Sequence, residues 1–478
     1  MKKSVKKNYI YNMLYQLLII ILPIITTPYL ARILGSEGNG IYSYTISIVT
    51  YFILLGSLGV SMYGEREIAY VQNDKIKRSK VFFELFIFRF ITMTLSAIIF
   101  YICFARSGEY ATYYKILLLE MLANCFDISW FFQGMEDFKK TVIRNFIIKI
   151  ISVVSIFTFV KNANDVGVYL LIYTLSTLFG SLTLWIGIHK YIEIPKKINI
   201  FSHLKSIFIL FIPQVAIQIY VVLDKTMIGA ILNDMSEVGY YEQAQKIIKI
   251  LLTIITAVGT VMMPRIANCY ANGDMNRIKE YMKKTFRFIF FCSIPLTLGI
   301  IAVSNNFVPL FFGTGYDKVP MLMKILSLII IFISMSNVTG TQFLLATKRQ
   351  KEFTISVVVG AIVNFCLNMI LIRLFKSYGA AIATVLAELS VTGVQLYFIR
   401  DEFKLSDILN GTLKFWIAGL VMFISCYLID IIIVNNLTGL LLQVFCGVCF
   451  YFGILLILKD KFMLEIIDNG LRIIKLRK

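Results

Sequence analysis

Apolar runs of about 20 residues, the length an α-helix needs to cross roughly 30 Å of hydrocarbon, recur from one end of this chain to the other. Fourteen can be delimited, over approximately 9–31, 40–63, 81–104, 113–133, 142–160, 166–188, 206–232, 238–264, 286–312, 319–346, 353–375, 379–399, 413–434 and 438–458. In lipid the backbone must satisfy its own hydrogen bonds, so runs of this length are helices. Composition agrees: 58% of the 478 residues are hydrophobic and 16% charged, against about 25% charged in soluble domains. A mean hydropathy of +0.78 is more than a single soluble core can hide. The expected fold is all-α and polytopic.

The 47 Lys and Arg exceed the 28 Asp and Glu by 19, an excess that in a soluble protein would suggest nucleic acid. Here its placement matters more. With the N-terminus inside, 34 of these cations fall in alternate segments on the inner side, 8 on the outer side and 5 within spans. Basic residues in short loops stay cytoplasmic, and a missed helix would invert every later loop. The alternation predicts a multi-pass protein with both termini cytoplasmic, no nucleic-acid partner, and a first helix that is retained rather than cleaved.

Enzyme chemistry has little to stand on. The eight Cys lie mostly inside apolar runs and read as small hydrophobes. The pair Cys446 and Cys449 lacks the βαβ setting of a redox motif. His189 and His203 share one basic loop without a metal-ligand pattern. No phosphate-binding or nucleophile-elbow motif occurs. The sequence therefore points to no enzyme activity, cofactor or metal.

The chain also resembles itself at an offset near 200 residues. Gly40-Ile41-Tyr42 and Gly239-Tyr240-Tyr241 each open a span and are followed 26 residues after the glycine by Arg66 and Arg265. Arg78 and Lys80 answer to Arg277 and Lys279, and further along, at a shift of 212, Lys161 and Gly167 answer to Arg373 and Gly379. Six helices preserve orientation, so parallel repeats are expected, an arrangement associated with transporters. The expected organisation is two six-helix lobes around a central cavity, 1–205 and 206–411, followed by two further helices and a tail in 412–478.

Three stretches carry a family likeness: Pro28-Tyr-Leu-Ala-Arg-Ile-Leu-Gly-Ser-Glu-Gly-Asn-Gly-Ile-Tyr42, Trp130-Phe-Phe-Gln-Gly-Met-Glu-Asp-Phe-Lys139, and Leu223-Asp-Lys-Thr-Met-Ile-Gly229 followed by Val238-Gly-Tyr-Tyr241. Taken in order along the chain they resemble polysaccharide-unit flippases of the Wzx type, within the multidrug/oligosaccharidyl-lipid/polysaccharide exporter superfamily. The resemblance implies transfer of an undecaprenyl-diphosphate-linked oligosaccharide between leaflets of a bacterial cytoplasmic membrane. It also implies a lipid bilayer as setting and a glycan polymerase and glycosyltransferases as pathway partners. The lipid II flippase branch shares the fold, so the glycan stays open.

Charges inside spans are costly and face a cavity or a partner. Lys246 and Lys249 are three apart on one helical face, with Glu242 one turn before Lys246. Either they line a cavity and attract a diphosphate, or Glu242 and Lys246 pair with each other. The resemblance adds that lipid-linked-sugar branches carry a cation at the Lys246 position. Lys149 lies in mid-span, as a second diphosphate contact or as an ion-pair partner of Glu120 or Asp127. Glu388 and Asp224 are candidate carboxylates for H⁺ or Na⁺ coupling, with a hydrogen-bonded acid as the alternative for Glu388. Arg66 and Arg265 are either topology signals or entry-site cations. Arg89 reads as a snorkelling anchor. Pro23, Pro28 and Pro213 fall in corresponding spans and serve either as gating hinges or as static kinks. Two other readings stay open, a cation-coupled drug exporter on the same scaffold and a non-transporting membrane scaffold.

Overall fold

The computed structural model describes residues 5–432, 437–465 and 467–468, and the regular structure among them is helical throughout. Contacts divide the chain into two compact units, Met1–Gly229 with Asn233–Gly239, and Ala230–Leu232 with Tyr240–Lys478.

The first unit is built from α1 (Val5–Ser57), α2 (Val60–Val71), α3 (Lys75–Phe100), α4 (Ala111–Cys125), α5 (Ser129–Gly134), α6 (Phe138–Phe159), α7 (Val166–Thr183) and most of α8 (Leu204–Leu232). Helix α1 runs through Pro23 and Pro28. Its non-helical residue is Gly35, with φ 66° and ψ −175°, a backbone state that glycine adopts without a Cβ penalty. Most of the second unit is α9 (Met235–Ala271), α10 (Met275–Phe312), α11 (Val319–Ser327), α12 (Ile329–Ser336), α13 (Gln350–Phe375), α14 (Ser377–Phe398), α15 (Leu405–Leu409), α16 (Leu413–Ile432) and α17 (Leu437–Ile457).

Among the described residues, eleven helical stretches are long and apolar enough to span a membrane. One of them, Ile21–Val71, contains the Gly35 break. Helices α6 and α8, of 22 and 29 residues, stand outside the eleven. The set is consistent with fourteen crossings.

Each unit contains the same local device at the start of one long helix, α3 in the first and α10 in the second. In the first, the chain turns at Asp74, whose carboxylate accepts from the Ile76 and Lys77 amides at 3.1 and 3.0 Å. In the second it turns at Asp274, which accepts from the Arg277 amide at 3.0 Å. Both aspartates satisfy amides that the first turn of a helix leaves unpaired. The repeat-related glycines Gly40 and Gly239 pack backbone to backbone. A Cβ on Gly40 would strike the Met235 carbonyl, and one on Gly239 the Ser36 carbonyl.

Helices α16 and α17 are fastened to α10 at both ends. At one end Arg287 pairs with the fully buried Asp460 at 3.2 Å, and the Tyr451 hydroxyl donates to the Phe291 carbonyl at 2.8 Å. At the other, the Asn306 amide donates to Gln443 at 3.2 Å and Gln443 donates to Asp430 at 3.1 Å.

Candidate functional site

In the first unit α4, α6 and α7 enclose a cavity of about 380 Å³. Its polar lining follows from helical spacing. Helix α4 turns Glu120 and Asn124 toward it, with Asp127 just past its end; α6 contributes Arg144, Asn145, Lys149 and Ser152; α7 contributes Tyr173, Ser176, Thr177 and Ser181. Positions three, four and seven apart share a helix face, so each helix reserves one stripe of an apolar segment for polar groups.

The charges in the cavity are held differently. Asp127 is occupied locally, accepting from the Ser129 amide at 3.0 Å and from its hydroxyl at 2.9 Å. Arg144 donates to the Gly180 carbonyl at 3.1 Å and to Asn145 at 2.9 Å. Glu120 is buried; one carboxylate oxygen accepts from Asn124 at 3.3 Å, and Oε2 is buried without a hydrogen bond. Lys149 is half-buried. Among the described residues no ion pair or hydrogen bond joins it to Glu120, Asp127 or any other group, although all three line one cavity. A cation held this way in a space that admits water can take up an anion without first breaking an internal pair.

The other candidates do not line this cavity. Lys246 on α9 is half-buried and Lys249 exposed. Tyr241, one turn before Gln245, bonds to Thr384 of α14 at 2.9 Å. Glu388 is buried one turn beyond Thr384. Asp224 of α8 is buried, and the neighbouring Thr226 hydroxyl lies 3.2 Å from the Tyr51 hydroxyl. Arg66 is exposed, 3.0 Å from Glu67 and with its guanidinium 5.2 Å from the Tyr63 ring; Arg265 is exposed as well. Pro23 and Pro28 are half-buried in α1, whereas Pro213 lies outside the residues whose side chains are described.

Two residues differ from the sequence reading. Arg89 is not a snorkelling anchor: it is buried, and Nη1 donates to the Asp127 carbonyl at 3.1 Å and to the Ser61 hydroxyl at 3.3 Å. The end of α4 and the turn after it fold over it, so its charge is met by protein oxygens and not by headgroups. Arg144, counted with the inner-loop cations, belongs to α6 and to the cavity. Its signal is the polar run Arg144, Asn145, Lys149 and Ser152 at helical spacing.

Residues 5–269 match the family described as "Polysaccharide biosynthesis protein", and residues 202–452 that described as "Lipid II flippase MurJ". A putative O-antigen transporter of Escherichia coli (strain K12) is 25% identical over 410 residues, covering 84% of this chain and 98% of that protein. One of Shigella dysenteriae is 20% identical over 79% of this chain and 96% of its own length. Among solved structures, the lipid II flippase MurJ in an inward closed conformation aligns with a TM-score of 0.70 at 19% identity, over 94% of this chain and 100% of that one. An inward-facing multidrug resistance MATE transporter aligns with 0.61 at 12% identity, over 80% and 97%. With fold, membrane helices and family match in agreement, the chain belongs to the polysaccharide biosynthesis protein family, and its second part matches the lipid II flippase family as well.

Proposed function

We propose that this protein moves undecaprenyl-diphosphate-linked oligosaccharide repeat units from the inner to the outer leaflet of a bacterial cytoplasmic membrane by alternating access, for cell-surface polysaccharide biosynthesis. Lys149 carries the reading: a half-buried cation without an internal ion pair among the described residues, in a polar cavity inside a membrane protein. A diphosphate cannot pass the membrane interior unless its charge is neutralised, because desolvating an unpaired ion is costly. A volume of about 380 Å³ lies at the low end for small-molecule sites. It suits a diphosphate with the nearest part of a sugar, leaving the prenyl chain in lipid.

Lys246 and Lys249 supply further positive charge in this reading, and Arg66 and Arg265 act as entry cations. Coupling to H⁺ or Na⁺ would use Glu388, Asp224, Asp127 or Glu120. Pro23, Pro28 and Pro213 would serve as gating positions. Both termini are cytoplasmic, and the polymerase and glycosyltransferases of the same pathway are its partners. The test is reconstitution with a lipid-linked oligosaccharide: Lys149→Met and the pair Lys246→Ala with Lys249→Ala are each expected to lose translocation. Undiminished transfer by both variants would overturn the proposal.

The match of residues 202–452 to the lipid II flippase family supports a second reading, with lipid II as cargo. Rescue of cells depleted of their own lipid II flippase would favour it. Restoration of a missing surface polysaccharide alone would favour the first.

A further inference from the structure

The segment joining α7 to α8 is pinned along one side and presents apolar and basic side chains on the other. Its backbone is fastened to α3. Arg78 donates through Nε and Nη2 to the Tyr191 carbonyl, at 3.1 and 2.6 Å. The Glu193 amide donates to the Ser79 hydroxyl at 2.8 Å, and its carboxylate pairs with Lys75 at 2.7 Å. The buried Glu84 accepts from the Asn199 amide at 2.7 Å and lies 2.9 Å from His203 Nε2, while His203 Nδ1 lies 2.8 Å from the Tyr63 hydroxyl. Ile192 is buried in the aromatic cluster around Phe82, Trp130 and Phe131, with Tyr191 and Ile200 packed against it.

A segment held this firmly cannot collapse to hide its remaining side chains. Ile194 is 89% exposed and Phe201 74% exposed, and Ile198 is exposed between them. Lys190, Lys196 and Lys197 are exposed among these residues, and Glu193, the acid in 190–203, is already paired with Lys75. The apolar exposure also begins in the preceding helix, which is long and apolar enough to span a membrane: Phe179 and Leu182 of α7 and Ile186 just beyond it are exposed in succession along the chain. Large apolar residues interleaved with lysines at the end of a spanning helix match the chemistry of a membrane interface. Aliphatic and aromatic groups enter the acyl boundary there, and ammonium groups meet lipid phosphates.

We infer that residues 186–203 form an interfacial anchor of the first unit, with Ile194, Ile198 and Phe201 inserted at the acyl boundary and Lys190, Lys196 and Lys197 bound to anionic lipid headgroups. The occupant is a lipid leaflet, because the patch is basic and follows in sequence on the exposed apolar residues at the end of a helix long and apolar enough to span a membrane. The inference rests on the membrane-spanning fold and is independent of the cargo.

The full-length protein is reconstituted separately as Ile194→Trp and as Phe201→Trp, and the emission added over the parent protein is read. The anchor predicts blue-shifted added emission, lost to brominated acyl chains and resistant to aqueous acrylamide. It also predicts stronger loss in phosphatidylglycerol than in phosphatidylcholine vesicles, a preference abolished by adding Lys196→Gln and Lys197→Gln. Added emission quenched by acrylamide and untouched by brominated lipid in both variants would overturn the inference. Shielding from both quenchers would overturn it too, as it would mean that protein covers the patch. Quenching by brominated lipid with no headgroup preference would overturn the assignment of anionic lipid.

Discussion

Helices α6 and α7 of the first unit answer to α13 and α14 of the second at a shift of 212 residues, yet the two pairs are filled differently. The first pair, with α4, surrounds a cavity that holds Arg144, Lys149, Glu120 and Asp127. The second carries one buried carboxylate, Glu388, among mostly neutral polar groups: Gln395 of α14 donates to Ser356 of α13 at 3.0 Å, Asn368 to Asn364 within α13 at 3.1 Å, and Thr392 to the Phe332 carbonyl of α12 at 3.0 Å. Under the shift Lys149 falls on Ala361, and Glu388 falls on Ser176. The repeat therefore fixes where helices lie and not which of them carries charge. Neutral polar groups can satisfy each other across a tight helix contact, whereas a charge needs a partner, water or a ligand and so keeps space around it.

The glycines show how tight the second pair is. A Cβ on Gly379 would overlap the Leu371 carbonyl, while one on the corresponding Gly167 would reach only an ordinary 3.5 Å contact with the Tyr113 ring. Gly379→Ala should therefore cost about 3 kcal/mol through forced backbone movement, whereas Gly167→Ala should change stability by less than about 1 kcal/mol, in the stabilising direction that helix propensity favours. Thermal unfolding in detergent reads both, and equal stability of the two variants would break the comparison.

Next in size is the cavity cation. Removing a charged partner from a hydrogen-bonded ligand costs about 1.5–3 kcal/mol, so Lys149→Met should slow transfer of lipid-linked cargo by roughly ten- to a hundredfold while leaving Tm almost unchanged. A large loss of Tm would make Lys149 structural and erase the contrast between the units. In the second unit Gln395→Leu removes one bond each from the Ser356 and Thr339 hydroxyls, which keep their bonds to the Phe353 and Met335 carbonyls. A stability loss of about 1–3 kcal/mol is expected, and no loss would show that the neutral ladder contributes little. The smallest effect belongs to Glu120→Gln. The amide oxygen can still accept from Asn124, so a change within about 1 kcal/mol is expected. A larger fall would mean that the carboxylate itself holds α4 in place.

Much of this architecture is legible in the amino-acid sequence. Span positions follow from apolar length, which depends on local sequence, and Glu120 and Asp127 could be named as candidate neighbours of Lys149. The fate of individual charges does not follow. Sequence offers only the snorkelling reading for Arg89 and does not single out Arg144. Packing buries Arg89 against the Asp127 carbonyl and turns Arg144 toward Gly180. His203, a loop histidine by its sequence setting, meets Glu84 and Tyr63, residues 119 and 140 positions away.

Sequence by itself determined that this chain is a polytopic helical membrane protein belonging to a flippase family. Lipid imposes backbone self-sufficiency on every long apolar run, and that constraint is readable one segment at a time. Tertiary structure alone decided which polar groups meet. Three successive long helices, α4, α6 and α7, must pack side by side before Lys149 shares a cavity with Glu120 without pairing to it. The loop after α7 must likewise lie along α3 before Ile194 and Phe201 are left facing outward.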